Sequence, residues 1–243
     1  MKKTTGKTNN SATRTSPTAQ VGEGLPTPAK HRRRTNTREA LLVAARTLLA
    51  GRATEGFTVD DIVQSAGVAK GSFYNHFSDK EELTDEVSRL IRNKEEAEIE
   101  AANRDVINPA AKIARGMAVY ARFALTSPEE ARIMTLAHVD ALSVKSSMNA
   151  GLVRDLAEGL RTGKFLIPSI ETGALLVIGQ TAVLLSRLKS GTKAEDAGAL
   201  TQQCIALTLL GLGLEYKMAH LVSAQAVEDI LHGAGTFVDA DSA

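Results

Sequence analysis

Apolar residues recur every three or four positions along most of this chain. Leu41, Ala44, Ala45, Leu48 and Leu49 share one helical face, and Ile62, Val63 and Ala66 share another. Phe73 and Phe77 stand four apart, and Leu83, Val87, Leu90 and Ile91 continue the pattern. A period near 3.6 rather than 2 predicts helices nearly throughout and no appreciable sheet, so the fold class is all-α. Thr58 with Asp61 three residues later makes a capping-box-like start for a helix over 58–66. Gly67, the residue that turns left-handed without steric cost, ends it, and Val68 folds back onto the apolar face. A second helix follows over 69–76. A helix from an Asn36 or Thr37 cap to Gly51 completes a three-helix module, with Phe57 as a core plug.

Beyond Phe77, Ser78 and Asp79 cap a long fourth helix. Its charged run from Lys94 to Glu100 reads as solvated. Asn108-Pro109 and Ser127-Pro128 set two further helix starts, predicting helices over 109–126, 128–146 and 148–161. Two long apolar helices are expected over 169–188 and 193–217, with a short last helix over 224–231. Gly173, Gly179, Gly211 and Gly213 in the apolar pair would let another helix approach closely, which makes this pair the best candidate for a subunit interface.

With 243 residues and 43% hydrophobic content, the chain can bury one small and one larger domain. The formal net charge of +1 hides an asymmetry. Residues 1–38 hold nine Lys or Arg against one acid, Glu23, a local balance of +8 that leaves −7 on the other 205 residues. The basic end is therefore the nucleic-acid end. Residues 1–34 form a basic arm expected to be disordered when free, since its Thr-, Ser- and Lys-rich composition offers little to bury; His31, Arg32, Arg33 and Arg34 close it. Cys204 stands alone, so no intramolecular disulfide is possible, which fits a reducing cytoplasm. The N-terminal lysines are not followed by an apolar stretch of the signal-peptide kind, and no uninterrupted apolar run spans a bilayer; the expectation is a soluble, cytoplasmic protein with no membrane partner.

The second helix of the hairpin turns Phe73 and Phe77 inward and leaves Lys70, Gly71, Ser72, Tyr74, Asn75 and His76 on its other sides. Small residues permit close approach, and the polar ones can donate to phosphates or base edges. Tyr74 and His76 are expected on phosphates and Lys70 near base edges. Lys80 gains little from the dipole at a helix start, so a phosphate partner explains its placement. The stretch AGVAKGSFYNHFSDKEEL resembles the DNA-binding signature of the tetracycline-repressor (TetR-type) regulators. The resemblance is specific from about Thr37 to Leu90 and architectural beyond. It implies phosphate contacts at Thr58, where backbone amides open a helix, and at Lys80, and Arg38 joins the expected DNA-binding set. It also implies a module over 35–80, and a helical effector-binding and dimerisation domain over 81–243.

Met117, Tyr120, Phe123, Met134, His138 and Gln180 are polarisable or amphipathic residues among aliphatics, and as a set they are the candidate lining of a small-molecule cavity. The five histidines are scattered singly, so no metal site is expected. No HExxH, CxxC, nucleophilic triad or Gly-rich phosphate loop is present, which argues against an enzyme and gives no reason for a cofactor. The expectation is a homodimeric, sequence-specific DNA-binding transcriptional regulator. It would be a repressor released from a palindromic operator in double-stranded DNA by an unknown small-molecule effector. An architectural or division-linked DNA binder of the same fold, controlled by a protein partner, is the alternative.

Overall fold

Caps and glycines set the helix boundaries. A computed structural model describes residues 28–51, 56–134, 149–191 and 194–233. Its elements are α1 (Pro28–Gly51), α2 (Val59–Ala66), α3 (Lys70–Tyr74), α4 (Lys80–Ala102) and α5 (Pro109–Thr126), then α6 (Pro128–Met134), α7 (Ala150–Arg161), α8 (Ile170–Leu188), α9 (Ala194–Gly211) and α10 (Tyr216–Val227). A single π turn, Glu228–His232, follows α10. No strand occurs among the described residues.

The capping box at α2 forms as the sequence predicts. The Thr58 hydroxyl accepts from the Asp61 amide at 3.3 Å, and the Thr58 amide donates to the Asp61 carboxylate at 2.7 Å. At its other end Gly67 takes φ +65°, with its amide donating to Gln64 and that of Val68 to Val63. These two bonds satisfy carbonyls that the helix leaves open. Leu41, Ile62, Phe73 and Leu83 then meet as fully buried side chains in the module core. Burying each contributes roughly 1.5–3 kcal/mol.

That core does not end with the module. Leu83, Val87 and Ile91 of α4 belong to it, and so do Phe123 of α5, Met134 of α6 and Leu184, Leu185 and Leu188 of α8. A domain boundary at residue 80 therefore cuts through packed side chains. Polar ties run along the same seam: Arg46 of α1 pairs with Glu130 of α6, and Arg132 donates to the Ala50 carbonyl at 3.1 Å. In the body, α5 is the central helix, packed against α4, α7, α8, α9 and α10.

Several expected boundaries move. Helix α1 starts at Pro28, not at the Asn36–Thr37 cap, because proline at the first position presets the helical φ and no breaker intervenes before Asn36. Helix α3 is shorter than expected, ending at Tyr74. The second half of the expected 128–146 helix, with His138, lies outside the described residues, as do residues 1–27 of the arm. The expected 193–217 helix stops at Gly211. Leu212 and Leu214 preserve the apolar period, but Gly213 takes φ +97°, its amide donates to Leu210 and that of Leu214 to Leu209. The Leu166 amide donates to the Leu212 carbonyl at 2.8 Å and pins the break. The chain then re-enters a helix at Tyr216, so α10 replaces the short helix expected over 224–231.

Three of the four glycines expected at a subunit contact are filled from within the chain. A Cβ at Gly173 would lie 2.8 Å from Ile167, one at Gly211 2.7 Å from Leu176, and one at Gly213 2.6 Å from Leu166. Gly179 alone among them faces open space. Helix α8 is long and apolar enough to cross a membrane by length and composition, with mean hydropathy 1.2, yet here it packs on α5, α7 and α9.

The tightest internal approach is at Gly159, where a Cβ would sit 1.9 Å from the ring of Phe165, itself buried. Gly159→Ala should therefore cost about 1–3 kcal/mol, since a rigid ring cannot yield as a flexible side chain does. Urea unfolding of the variant measures this. A gain in stability, as expected from helix propensity alone, would contradict the packing.

Candidate nucleic-acid interface and internal cavity

The module presents one polar face. On α3, Phe73 is buried and packs at a tilt against Phe77 with ring centroids 5.9 Å apart, while Tyr74 is 55% exposed. Tyr74 meets the Phe73 ring edge-on at 5.3 Å, so its phenol is carried on a fixed base. A Cβ on Gly71 would meet nothing within 4 Å, which leaves the helix surface open to close approach. Lys70 and Asn75 are exposed, and Ser72 and His76 are half-buried. Thr58 is exposed at the opening of α2.

The basic members of the expected set are already engaged within the chain. The Lys70 ammonium lies 2.8 Å from one Asp60 carboxylate oxygen and 3.1 Å from the other. The hydrogen bond and charge of Asp60 raise the Lys70 pKa, so the amine stays protonated. Arg38 pairs with Glu86 at 2.7 Å, and its guanidinium lies 5.2 Å from the Phe77 ring centroid. Lys80 lies over Phe57 at 5.1 Å and within 3.4 Å of its carbonyl oxygen. Placement of Lys80 thus has an internal reason that its position beside a helix dipole did not reveal.

The body holds a cavity of about 800 Å³ between α4, α5, α7 and α8, reached by Met134 of α6. Of the expected lining, Met117, Tyr120 and Met134 are in its wall. Phe123 is not: it is buried in the core shared with the DNA module, facing away from the cavity around the α5 axis. Gln180 also misses the wall, to which α8 contributes Val177, Ile178, Thr181, Ala182, Val183, Leu185 and Ser186. His138 lies outside the described residues.

The sequence reading missed the charged wall. The run from Lys94 to Glu100 is not simply solvated: Glu95 is 4% exposed, and Glu96 lines the cavity. The Tyr120 hydroxyl donates to Glu96 Oε1 at 2.7 Å, and Arg92, one turn earlier, also hydrogen-bonds Tyr120. Burial pushes the Glu96 carboxyl up, against the opposing pull of Tyr120 and Arg92, and pushes the Tyr120 phenol far above its ordinary range. Lys112 and Asp155 face each other at 3.6 Å on the same wall, and burial raises the Asp155 carboxyl. The available signal was Arg92, Glu96 and Ile99 recurring at helical spacing, a stripe that continues Leu83, Val87 and Ile91 at a shifted angle.

Comparison with known proteins agrees with this geometry. The sequence profile of "Bacterial regulatory proteins, tetR family" matches residues 41–87. The HTH-type transcriptional repressor KstR2 of Mycolicibacterium smegmatis is 46% identical over 52 residues, 21% of this chain and 25% of that protein. The match thus spans a quarter of the relative's length. Over longer stretches the likeness is one of fold. The crystal structure of RolR in complex with resorcinol covers 80% of this chain and 96% of its own, at 24% identity and a TM-score of 0.62. A protein from Shewanella sp. PV-4, described as a tetR family transcription regulator, covers 74% and 99% at 16% identity and a TM-score of 0.65. Residues 41–87 therefore carry the sequence pattern of bacterial regulatory proteins of the tetR family, and the helical body shares the fold of these solved structures.

Proposed function

We propose that this chain is a homodimeric transcriptional repressor that reads a palindromic operator through α3 and leaves it when a small molecule fills the body cavity. One observation carries the reading: an exposed polar face on a capped helix-turn-helix is joined by a continuous apolar core to the helices that wall a cavity. Met134 belongs to both, lining the cavity and packing in the core that α1 shares with α6. A ligand that moves α6 would thereby shift α1 and the recognition helix with it. Only a molecule that binds one arrangement better than the other can bias the two. The resorcinol held by RolR, a protein of the same fold, is consistent with a ligand in this body.

Within this reading Lys70 meets base edges, Tyr74, Asn75 and His76 meet phosphates, and Gly71 and Ser72 allow the approach. Thr58 and Lys80 flank the same groove. Arg38 first has to exchange its Glu86 partner for phosphate.

Dimerisation follows from what the single chain leaves uncovered. Leu175 of α8 is 58% exposed, with Gly179 one turn further along the same face, and Val183, 68% exposed, borders both this face and the cavity. Leu207 of α9 is 63% exposed. Two such helix pairs related by a two-fold axis would form a four-helix contact and fix the recognition helices about 34–36 Å apart, one turn of DNA.

Two measurements test the reading. Lys70→Ala should weaken operator binding by about 1–3 kcal/mol and relax preference at one base pair, whereas Tyr74→Phe should weaken all sequences alike. Operator titrations against single-base variants distinguish them, and unchanged binding by both substitutions would remove α3 from the interface. Gly179→Arg places a charge in open space on the isolated chain, so the fold should persist while the dimer is lost. Sedimentation should then give folded monomers with poor operator affinity, and a stable dimer would place the contact elsewhere.

A further inference from the structure

Lys70, Lys80 and Arg38 all have internal partners, but the partners differ in what becomes of them once the cation turns to DNA. The Asp60 side chain is 68% exposed, so water solvates it as soon as Lys70 leaves. Phe57 offers Lys80 a neutral carbonyl oxygen. Glu86 is different: its side chain is only 11% exposed, and its Oε1 accepts from the Arg38 guanidinium at 2.7 Å. A carboxylate stripped of its partner where water barely reaches is strongly unfavourable. Arg38 could then exchange Glu86 for a phosphate only if another cation stayed behind.

Arg89 is that cation. It stands one turn further along α4, is 57% exposed, and pairs with Oε2, the other oxygen of the same carboxylate. Glu86 therefore stays neutralised while Arg38 departs. Arg38 is also placed to depart. Its guanidinium lies 5.2 Å from the ring centroid of Phe77, which directly follows Asn75 and His76 of the proposed DNA face, and the basic run His31–Arg34 ends one turn earlier on α1. Holding a carboxylate and a phosphate on one guanidinium would press two anions together in a poorly screened corner, which favours exchange over bridging.

We propose that Glu86 is an internal competitor for the DNA backbone: it holds Arg38 in the free chain and releases it to a phosphate on docking, while Arg89 keeps the carboxylate neutralised. The proposal rests on the repressor reading for the placement of DNA on the module. Phosphate is the same at every step of a duplex, so this exchange sets affinity for all sequences rather than choice among them.

The test is binding of the full chain, over a range of salt, to a random-sequence duplex long enough for two half-sites, about 30 base pairs. Glu86→Gln removes the competing charge at nearly constant shape and should tighten binding about fivefold, the upper end for a partly exposed ion pair. In an Arg38→Gln chain the same substitution should change binding by less than about twofold. The salt slope of the Arg38→Gln chain should be shallower by about 0.9, one phosphate contact. Arg89→Gln should weaken binding in the wild-type chain and have no effect in the Arg38→Gln chain, a cycle that stands even if Glu86→Gln fails to fold. Weaker binding at Glu86→Gln would make Glu86 a positioner of Arg38, and equal gains with and without Arg38 would reduce it to a remote charge. An unchanged salt slope at Arg38→Gln would take Arg38 off the DNA. Each of these overturns the proposal, as does an Arg89→Gln effect that persists without Arg38. Selection of bound sequences from a random pool separates the two levels. A chain that enriches a palindrome while these substitutions act additively loses only the exchange, whereas a chain that binds no duplex loses the repressor reading and the exchange together.

Discussion

The rest of the molecule depends on one apolar seam, the contact of the helix-turn-helix module with α4, α6 and the C-terminal half of α8. A three-helix module of this size would bury little on its own, since small domains leave much of their surface wet. Here Leu83 and Val87 complete its core from outside, and Leu184, Leu185 and Leu188 extend that core into the body. The same packing that stabilises the module therefore removes its freedom to move independently. Interiors at native density pass on displacement rather than absorb it, so a change in the walls of the cavity has a route to α1 that needs no flexible hinge.

Local signals made the DNA-binding half legible. Thr58 with Asp61, Gly67, and Phe73 with Phe77 act within a few residues of one another, and the structure places all of them where the sequence reading put them. The body was legible only as helices. Whether the apolar run of α9 continues past Gly211 depended on Gly213, and a glycine can be a helical contact or a left-handed stop. The Leu166 amide that settles it comes from 46 residues upstream. Glycines expected to serve a second subunit mostly accommodate Ile167, Leu176 and Leu166 of the same chain, a distinction no periodicity contains. The cavity was half legible: Met117, Tyr120 and Met134 are in it, but polarisability alone drew in Phe123 and Gln180 and passed over Glu96, because a glutamate in a charged run reads as solvated until its partner on α5 is known.

Charge is distributed in keeping with this division. The first 38 residues carry a balance of +8 and the remainder −7, so the positive charge that attracts a polyanion is concentrated in the part of the sequence that leads into the module. Near the module surface this long-range bias is tempered by short-range pairing, since Lys70, Arg38 and Lys80 each have an internal partner. Pairs exposed to water are weak and screened by salt, so in the proposed interface exchanging Asp60 for a DNA acceptor would cost Lys70 little.

That exchange has a consequence for selectivity. Both carboxylate oxygens of Asp60 lie within reach of the Lys70 ammonium, and although this exposed pair is weak, it biases the amine toward the opening turn of α2. A phosphate offers a charge in almost any register along the duplex, whereas a guanine edge offers its paired acceptors only where the base sequence supplies one. Restraining the ammonium lowers the return from the first kind of contact more than from the second, because the second rewards a defined position. If α3 reads the operator as proposed, an acid beside it, which by charge alone opposes DNA, would favour discrimination among sequences over affinity for all of them.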